Sequence, residues 1–482
     1  MARLKDMPNE ILVNIFTYVS DINHSSIFNV TLVNKHFNQI ASPLRVRHWS
    51  DEGFYGYYYG DSPCPSISRL ALELLRHPEY RLQVKSLSFS YFQNSYDRDP
   101  ARVPLSSDNL QMLAWAAEEV VPTLAESTYI CARILEDNDD AIAVLVLAWA
   151  TNLTSLSITV PFLDPTPGYD QGPLVLRFAK QLALRFDSGD LKPSAPLPLA
   201  KLQELEFRHN DTENDVALKY MSPFLYLPNL KDIEAYRLGD TDYNDLNDSV
   251  ERYIQDKYCM PLPAGTSSIE SIILEETTLS DYGLQDLLES CKSLRAFHID
   301  FSAVLDHDVR NSTILAASLV QHATTLNELE ISVDNSDVAW IVNQTELPEC
   351  VEDCYRELTC LKRLSIPMSH LLQDSPTGSP QEVIPEQLPA SITHLKLCNS
   401  HLYCNWQSPH NKISLFLTCT LSLLMEAGPQ RRLRNFQVLD CSEALLDDPE
   451  MEMIQEMKQL AEECGVTLLL RPYVTHNGGL IT

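Results

Sequence analysis

The chain has little glycine and no glycine-rich phosphate-binding motif. Only 14 of its 482 residues are glycine, and the sequence contains neither a G-x-G-x-x-G string nor a P-loop. The signatures of serine hydrolases, zinc proteases and protein kinases are also missing. These gaps argue against a nucleotide-binding or hydrolytic α/β enzyme. The sequence therefore predicts a protein that is not an enzyme and needs no cofactor.

Long apolar runs and clustered cysteines are also missing. The longest apolar run, from Ile413 to Met425, is too short and too polar to span a bilayer, and no apolar signal core begins the chain. We expect no membrane association and a cytoplasmic and/or nuclear protein. The 12 cysteines are scattered, and the one tight group, Cys350, Cys354 and Cys360, falls short of four paired zinc ligands. No metal site is predicted.

Cations are scarce and unevenly placed. The chain has 36 Lys and Arg against 66 Asp and Glu, a formal charge of −30. Residues 1–49 carry two net positive charges, five cations against three carboxylates, which leaves −32 for the remainder. So acidic a body repels phosphate, and nucleic acid is not an expected partner.

The first fifty residues predict three short helices. Pro8 suits a first helical position, and Ile11, Leu12, Ile15, Phe16 and Val19 follow at helical spacing. A polar break separates them from the apolar turn 27–32, and a third helix covers 34–41. So short a segment cannot bury two apolar stripes internally, and we expect one stripe to seek a partner. Exposure is expected of Pro8, Leu12, Ile15 and some of Ile27, Leu32 and Val33.

The order of these residues resembles the F-box motif. The resemblance rests on Met7-Pro8-Asn9-Glu10-Ile11-Leu12, Ile15-Phe16-Thr17-Tyr18-Val19, Ile27-Phe28 and Leu32-Val33-Asn34-Lys35-His36-Phe37. Met7 stands where leucine is usual, and Ser26 where an acidic residue is common. The resemblance covers about a tenth of the chain and implies docking on a Skp-type adaptor of a cullin-RING ubiquitin ligase. The adaptor-binding residues it implies are Pro8, Ile11, Leu12, Ile15, Phe16, Ile27, Leu32, Val33 and Phe37.

The rest of the chain repeats a short strand-like run with apolar residues at its first, fourth and sixth positions. This pattern resembles the core of the leucine-rich repeat. Ten runs occur, and their starts are 25 to 69 residues apart, which indicates insertions. They begin at Val84, Leu153, Leu202, Leu230, Ile269, Leu294, Leu326, Leu361, Ile392 and Leu433.

Helical stretches between the runs, such as 279–291 and 313–323, complete the prediction. Alternation of strand and helix predicts an α/β fold with a parallel sheet and helices outside, here an irregular leucine-rich-repeat solenoid after the short three-helix F-box. We expect an adaptor-binding domain over 1–49, a helical linker over 50–82, the repeat array over 83–475 and a flexible tail over 476–482.

Residues between the apolar positions should lie on the strand face opposite the core, the concave face of an arc. The first strands place Ser86, Ser88, Ser155, Ser157 and Thr159 there, and the last ones Arg363, His394 and Lys396. The middle is acidic, and like charges on neighbouring strands should repel unless something compensates. The candidate substrate-binding residues are Glu204, Glu206, Asp232, Glu234, Glu275, Asp300, Glu328 and Glu330.

Together these patterns predict the substrate-recognition subunit of a Skp-cullin-F-box ubiquitin ligase. Its partners would be a Skp-type adaptor, through it a cullin-RING core, and a target protein with a basic segment. One alternative is an F-box scaffold that acts with the adaptor outside a ligase, since both roles need the same docking helices. Another is an enzyme on an α/β scaffold, which a deep pocket with converging polar groups would indicate.

Overall fold

The computed structural model of the chain describes residues 4, 7–51, 66–89, 104–120, 127–160, 173–189, 197–209, 215–240, 256–301, 312–333, 354–367, 372–373, 382–383, 388–398, 420–421, 433–439 and 448–471. The fold is α/β, with a large parallel sheet of twelve strands. The chain divides into two compact units, Met1–Glu234 with Asp242–Pro263, and Ala235–Thr241 with Ala264–Thr482.

The α-helices are numbered along the chain as α1 (Asn9–Ile22), α2 (Ser25–Val33), α3 (Lys35–Ala41), α4 (Ile67–Arg76), α5 (Ser107–Val120), α6 (Ser127–Leu135), α7 (Asp139–Trp149), α8 (Leu174–Ser188), α9 (Leu218–Met221), α10 (Asp281–Ser290), α11 (Ser312–Val320), α12 (Cys354–Glu357) and α13 (Asp448–Glu463). Short 3-10 helices cover Ser42–Val46, Pro78–Gln83 and Ser222–Tyr226.

The strands are β1 (His48–Ser50), β2 (Ser86–Phe89), β3 (Ser155–Val160), β4 (Glu204–His209), β5 (Val216–Ala217), β6 (Asp232–Tyr236), β7 (Leu238–Gly239), β8 (Ser271–Thr277), β9 (Ala296–Phe301), β10 (Glu328–Val333), β11 (Arg363–Pro367), β12 (Leu372–Gln373), β13 (Glu382–Val383), β14 (His394–Cys398), β15 (Asn435–Leu439) and β16 (Thr467–Arg471). The large sheet holds them in chain order and omits β5, β7, β12 and β13.

All ten predicted runs form strands of this sheet, because their apolar residues align from strand to strand. In the first unit Leu156 of β3 is level with Leu205 of β4. In the second, Phe297 of β9 is level with Leu329 of β10. Each of these four side chains is at most 2% exposed. The strands therefore bury continuous apolar rows on one face, as the pattern predicts.

A backbone hydrogen-bond motif recurs where the strands begin. In the first unit the Lys85 carbonyl accepts the N–H groups of Thr154 at 2.8 Å and Ser155 at 3.1 Å. In the second, the Arg295 carbonyl accepts those of Asn327 at 2.8 Å and Glu328 at 3.1 Å. The same hydrogen-bond motif therefore precedes strands in both units, although the strands are unevenly spaced along the chain.

The sheet has two strands that the apolar pattern missed, β1 and β16. Trp49 of β1 is level with Leu87 of β2, but Asp51 stands where other runs have their last apolar residue. In β16, Leu468 is level with Phe436 of β15, but the first apolar position is Gly465. Both strands are outermost in the sheet order, and a strand with one neighbour needs fewer apolar side chains.

Helices with buried faces alternate with the strands along the chain. Every residue of α7 is buried, and the Asn138 side chain caps its N-terminus by accepting the Ala141 N–H at 3.0 Å. In α10 the buried residues are Gly283, Leu284, Leu287, Leu288 and Ser290. Of the predicted linker, 50–82, residues 67–76 and 78–82 are helical, while the strands already begin at His48. The proposed tail, 476–482, lies outside the described residues.

Candidate protein-docking surfaces

The N-terminal helical module, α1 to α3 with the 3-10 helix after them, has a complete small core. Six residues form it, Leu12, Phe16, Ile27, Phe37, Ala41 and Leu44, each at most 5% exposed. The rings of Phe16 and Phe37 meet edge to face with centroids 5.2 Å apart. Two polar contacts fix α3: the Asn34 side chain accepts the Phe37 N–H at 2.9 Å, and Asn38 Nδ2 donates to the Thr31 carbonyl at 3.0 Å.

A second apolar stripe of α1 remains at the surface. Ile11, Tyr18 and Ile22 are 45%, 68% and 67% exposed, and Ile15 between them is half-buried. The spacing i, i+4, i+7, i+11 places these four residues on one side of the helix. We call them the α1 stripe. It is larger than the scattered apolar side chains that any surface shows, which marks it as a candidate docking surface.

Helix α2 exposes apolar residues of its own. Phe28, Leu32 and Val33 are 46%, 81% and 63% exposed, and we call them the α2 group. Leu32 and Val33 close the helix just before Asn34, the N-cap of α3. Exposed aliphatic side chains at a tight helix junction gain stability only when a partner covers them.

The structure divides the predicted adaptor-binding residues into two sets. Pro8, Ile11, Leu32 and Val33 are exposed and Ile15 is half-buried. The expectation of exposure is wrong for Leu12, which is 0% exposed. Some of Ile27, Leu32 and Val33 were expected at the surface, and of these three Ile27 is the buried one, at 0% exposure. With Phe16 and Phe37, Leu12 and Ile27 form the module core, because a three-helix unit this short needs its strongest apolar stripe inside. These four residues support the surface and do not contribute to it.

The sequence prediction also left out exposed residues. Tyr18, Ile22 and Phe28 belong to the α1 stripe and the α2 group, yet none was assigned to the docking set. Tyr18 and Ile22 continue the helical period that Ile11 and Ile15 begin, so a helical-wheel plot of α1 would have found them. Phe28 follows Ile27 directly, and the sequence alone does not show which of the two faces inward.

An ion-pair cluster joins the helical module to β1. The Asp21 carboxylate, at the end of α1, accepts hydrogen bonds from Arg47 Nε at 2.6 Å and Nη2 at 3.2 Å, and lies 2.8 Å from His48 Nε2. The Arg47 hydrogen bond is the main reason why the pKa of Asp21 is lowered, against the opposing effect of burial. The His24 ring contacts both the His48 and Phe28 rings.

The acidic strand face of the first unit is only partly compensated. Glu204 and Asp232 are exposed, and Glu206 and Glu234 are half-buried on the same face of β4 and β6. The alternation predicted from the sequence is therefore confirmed here. Arg208 forms an ion pair with Glu206. Earlier on this face Ser88, Ser157 and Thr159 are buried, at 9%, 8% and 8% exposure, so they are not open to a partner.

The corresponding face of the second unit neutralises its own charge. Arg363 Nη1 is 3.1 Å from Glu328 Oε2, and Lys396 forms an ion pair with Glu330. Burial acts to raise the pKa of Glu330, but the hydrogen bond and charge of Lys396, with Ser365 and His298, lower it overall. The last strands of the sheet thus supply the compensating cations that the sequence prediction assigned to a partner.

Two further candidate residues lie on the second unit. Glu275 is exposed on β8, and Asp300 accepts a hydrogen bond from Ser332 Oγ at 2.7 Å. Of the eight predicted substrate-binding residues, four lie on the second unit. Three of these four, Asp300, Glu328 and Glu330, have partners within the chain. Glu204 and Glu234 remain the carboxylates of the first unit whose charge an outside partner can best meet.

Among the described residues no group of three or more His, Cys, Asp or Glu side chains is placed to hold a metal ion. Cys354 is buried and Cys360 is half-buried, both as free thiols, while Cys350 lies outside the described residues. No described helix combines the length and the apolar character needed to cross a membrane.

The comparisons with known proteins add no family. No protein-family model and no curated protein matches the chain.

Proposed function

We propose that the chain is the substrate-recognition subunit of a Skp-cullin-F-box type ubiquitin ligase. Its helical module binds a Skp-type adaptor through the α1 stripe and the α2 group. The sheet, as an irregular leucine-rich-repeat solenoid, holds the target protein. The chain itself supplies proximity between target and ligase and performs no bond chemistry.

The observation that carries the proposal is apolar surface left over by a module whose core is already complete. The F-box-like order of residues 7–37 accounts both for the complete core and for the exposed apolar side chains. Leu12, Phe16, Ile27 and Phe37 hold the helices together, and Ile11, Leu32 and Val33 then face outward. A helical cap that served only to close the sheet would have no use for an exposed apolar stripe along α1.

Two neighbouring positions of α1 give a matched test. Ile11 and Val13 are 45% and 42% exposed, but they point about 200° apart around the helix because each residue advances about 100°. Ile11→Asp places a carboxylate in the proposed interface, where an unpaired charge costs several kcal/mol. We expect it to weaken adaptor binding at least ~100-fold, about 2.8 kcal/mol, while Val13→Asp changes it less than about threefold.

The measurement is calorimetric titration of a purified Skp-type adaptor into the full chain, with circular dichroism of each variant to show that the module is folded. Equal affinities of the two variants would contradict the proposed surface. No binding by the unaltered chain would remove the proposal itself. In cells, recovery of cullin with the chain supports the ligase role, and adaptor without cullin would instead indicate a scaffold.

A further inference from the structure

A small cluster of cations lies beside the junction between the helical module and the sheet. It consists of Arg47, Lys85 and Lys201, at the starts of three strands of the first unit, and we call it the junction cluster. The setting is unusual, because the chain as a whole carries a formal charge of −30. Three cations at one place in so acidic a protein require a physical reason.

The backbone and Asn152 bring the three residues together. The Arg47 carbonyl accepts the Lys85 N–H at 2.8 Å, so these residues begin adjacent strands. Asn152 donates from Nδ2 to the Leu82 carbonyl at 2.9 Å and accepts at Oδ1 from Lys201 Nζ at 2.6 Å. An amide side chain thus anchors the Lys201 ammonium next to the β2 start, and no carboxylate in the described part of the chain pairs with it.

Among the described residues, compensation of this charge is incomplete. Asp21 neutralises Arg47 and contacts His48 as well. The Lys85 ammonium forms no ion pair with any described residue, although Lys85 is half-buried. Burial lowers the pKa of Lys85, and repulsion from Arg47 and Lys201 lowers it further. The arrangement costs free energy in the isolated chain, and a bound anion would recover it.

The cluster also adjoins the proposed docking surface. Asp21 immediately precedes Ile22 of the α1 stripe, and the His24 ring lies 5.5 Å from the Phe28 ring and 5.7 Å from the His48 ring, centroid to centroid. A protein that covers Ile22 and Phe28 therefore lies within reach of the cations.

We propose that the junction cluster binds a short acidic segment of a partner protein, with Lys85 and Lys201 meeting its carboxylates. Arg47, Lys85 and Lys201 precede β1, β2 and β4, and three intervals at the ~4.8 Å strand spacing span roughly 14 Å, which suits a few residues of extended chain. A long polyanion such as nucleic acid would meet the acidic remainder of the surface and be repelled. The proposal stands on the cluster alone, whether or not the α1 stripe binds a Skp-type adaptor.

The test uses the full chain and a short fluorescent peptide of alternating glutamate and serine, followed by fluorescence anisotropy. We expect binding that weakens as salt is added, because opposite charges attract. A purely non-specific encounter with this acidic protein would instead strengthen with salt, because screening relieves repulsion. The double variant Lys85→Gln/Lys201→Gln should weaken binding roughly tenfold, the sum of two exposed ion pairs.

The control is Lys35→Gln/Lys292→Gln, which removes the same charge from two exposed lysines that are not members of the cluster. An equal loss in both double variants would overturn the site, as would a salt dependence of the opposite sign. Tighter binding of a single-stranded oligonucleotide of matched charge would overturn the choice of an acidic protein segment. Ile11→Asp should leave peptide binding unchanged, so a failure of the adaptor proposal is distinguishable from a failure here.

Discussion

The helical module and the sheet place their apolar residues in opposite ways. In the module, α1 buries Leu12 and Phe16 but exposes Ile11, Tyr18 and Ile22. In the sheet, the apolar residues at the repeated positions whose burial the structure describes are buried from β2 to β15, and the other face carries hydroxyl groups and charge. The module therefore exposes apolar side chains that its own core does not need, whereas the sheet buries the apolar side chains of its repeated positions.

Size explains the difference. A unit of three short helices has too little interior to cover two stripes, whereas each strand of a long sheet gains cover from its neighbours and from a helix layer. The comparison teaches that surplus apolar surface in the module points to a partner. On the sheet, the informative signal is charge that internal partners leave uncompensated.

The strongest test of this comparison separates core from surface within α1. Phe16→Ala should destabilise the module by about 3–5 kcal/mol, because it removes a buried ring that contacts Phe37. Tyr18→Ala should change stability by less than about 0.5 kcal/mol, because Tyr18 is largely exposed. Hydrogen exchange of α1 to α3, followed by mass spectrometry, measures the effect locally.

Protection of the sheet should be the same in both variants. Similar losses of protection in the module would mean that α1 has no distinct core side. The result also decides which variants can test adaptor binding, since Phe16→Asp or Leu12→Asp would unfold the module and remove binding for an indirect reason.

The strands were predictable from the sequence because their signal is local. Each run places apolar residues at fixed positions, and burial of Leu156, Leu205 and Leu329 follows from that period. The edge strands β1 and β16 were missed for an equally local reason. Asp51 and Gly465 interrupt the apolar pattern in these two strands, and an outermost strand needs fewer apolar side chains because it has one neighbour.

The sites were less predictable because they depend on contacts distant in sequence. Lys396 neutralises Glu330 across 66 residues, and no periodicity shows that pairing. Likewise the sequence shows two apolar stripes in the module but not which one faces inward. Only the packing of Leu12 and Ile27 against Phe37 decides that.

The next largest expected effect is on the pH dependence of stability, and it comes from a buried carboxyl group. It tests whether the surroundings of the buried helix α7 are as apolar as the comparison implies. Asp140 of α7 accepts the backbone N–H groups of Leu174 and Val175, the latter at 3.1 Å, at the start of α8. Burial raises its pKa to about 6, although both hydrogen bonds favour the ionised form. Its pKa in the unfolded chain is about 3.9.

The folded state therefore binds the Asp140 proton more tightly than the unfolded state does. The resulting stability is fully present below about pH 4 and is lost as the pH rises through about 6. Relative to Asp140→Asn, the free energy of unfolding should fall by roughly 1–3 kcal/mol between those values. Urea unfolding of both proteins at several pH values measures this, and parallel pH profiles would contradict it.

The ion pair of the second unit predicts an effect of about 1 kcal/mol. Lys396→Met leaves the partly buried Glu330 carboxylate with Ser365 but without its cation. Because the pKa of Glu330 is lowered in the folded state, the stability it contributes is present above about pH 4.3 and is lost as the pH falls. The loss should be partly reversed by Glu330→Gln in the same chain, since no unpaired charge then remains. Urea unfolding of Lys396→Met, of Glu330→Gln and of the double variant measures the coupling, and additive losses would show that the pair does not interact.

The smallest effect concerns the two acidic strand faces, and it should appear in association rates and not in stability. Within the described ranges, Glu204 and Glu234 of the first unit have no cross-strand cation of the kind that Glu328 and Glu330 have in the second. Glu204→Lys/Glu234→Lys should therefore slow the association of a basic, lysine-rich probe peptide several-fold and reduce its dependence on salt, because steering acts mainly on the association rate. Glu328→Lys/Glu330→Lys, the same change of charge, should alter the rate less, since Arg363 and Lys396 already offset those carboxylates. Stopped-flow fluorescence at two salt concentrations measures both rates.

Equal effects of the two double variants would mean that internal pairing does not decide which carboxylates attract a partner. The substrate proposal for the first unit would then lose its basis.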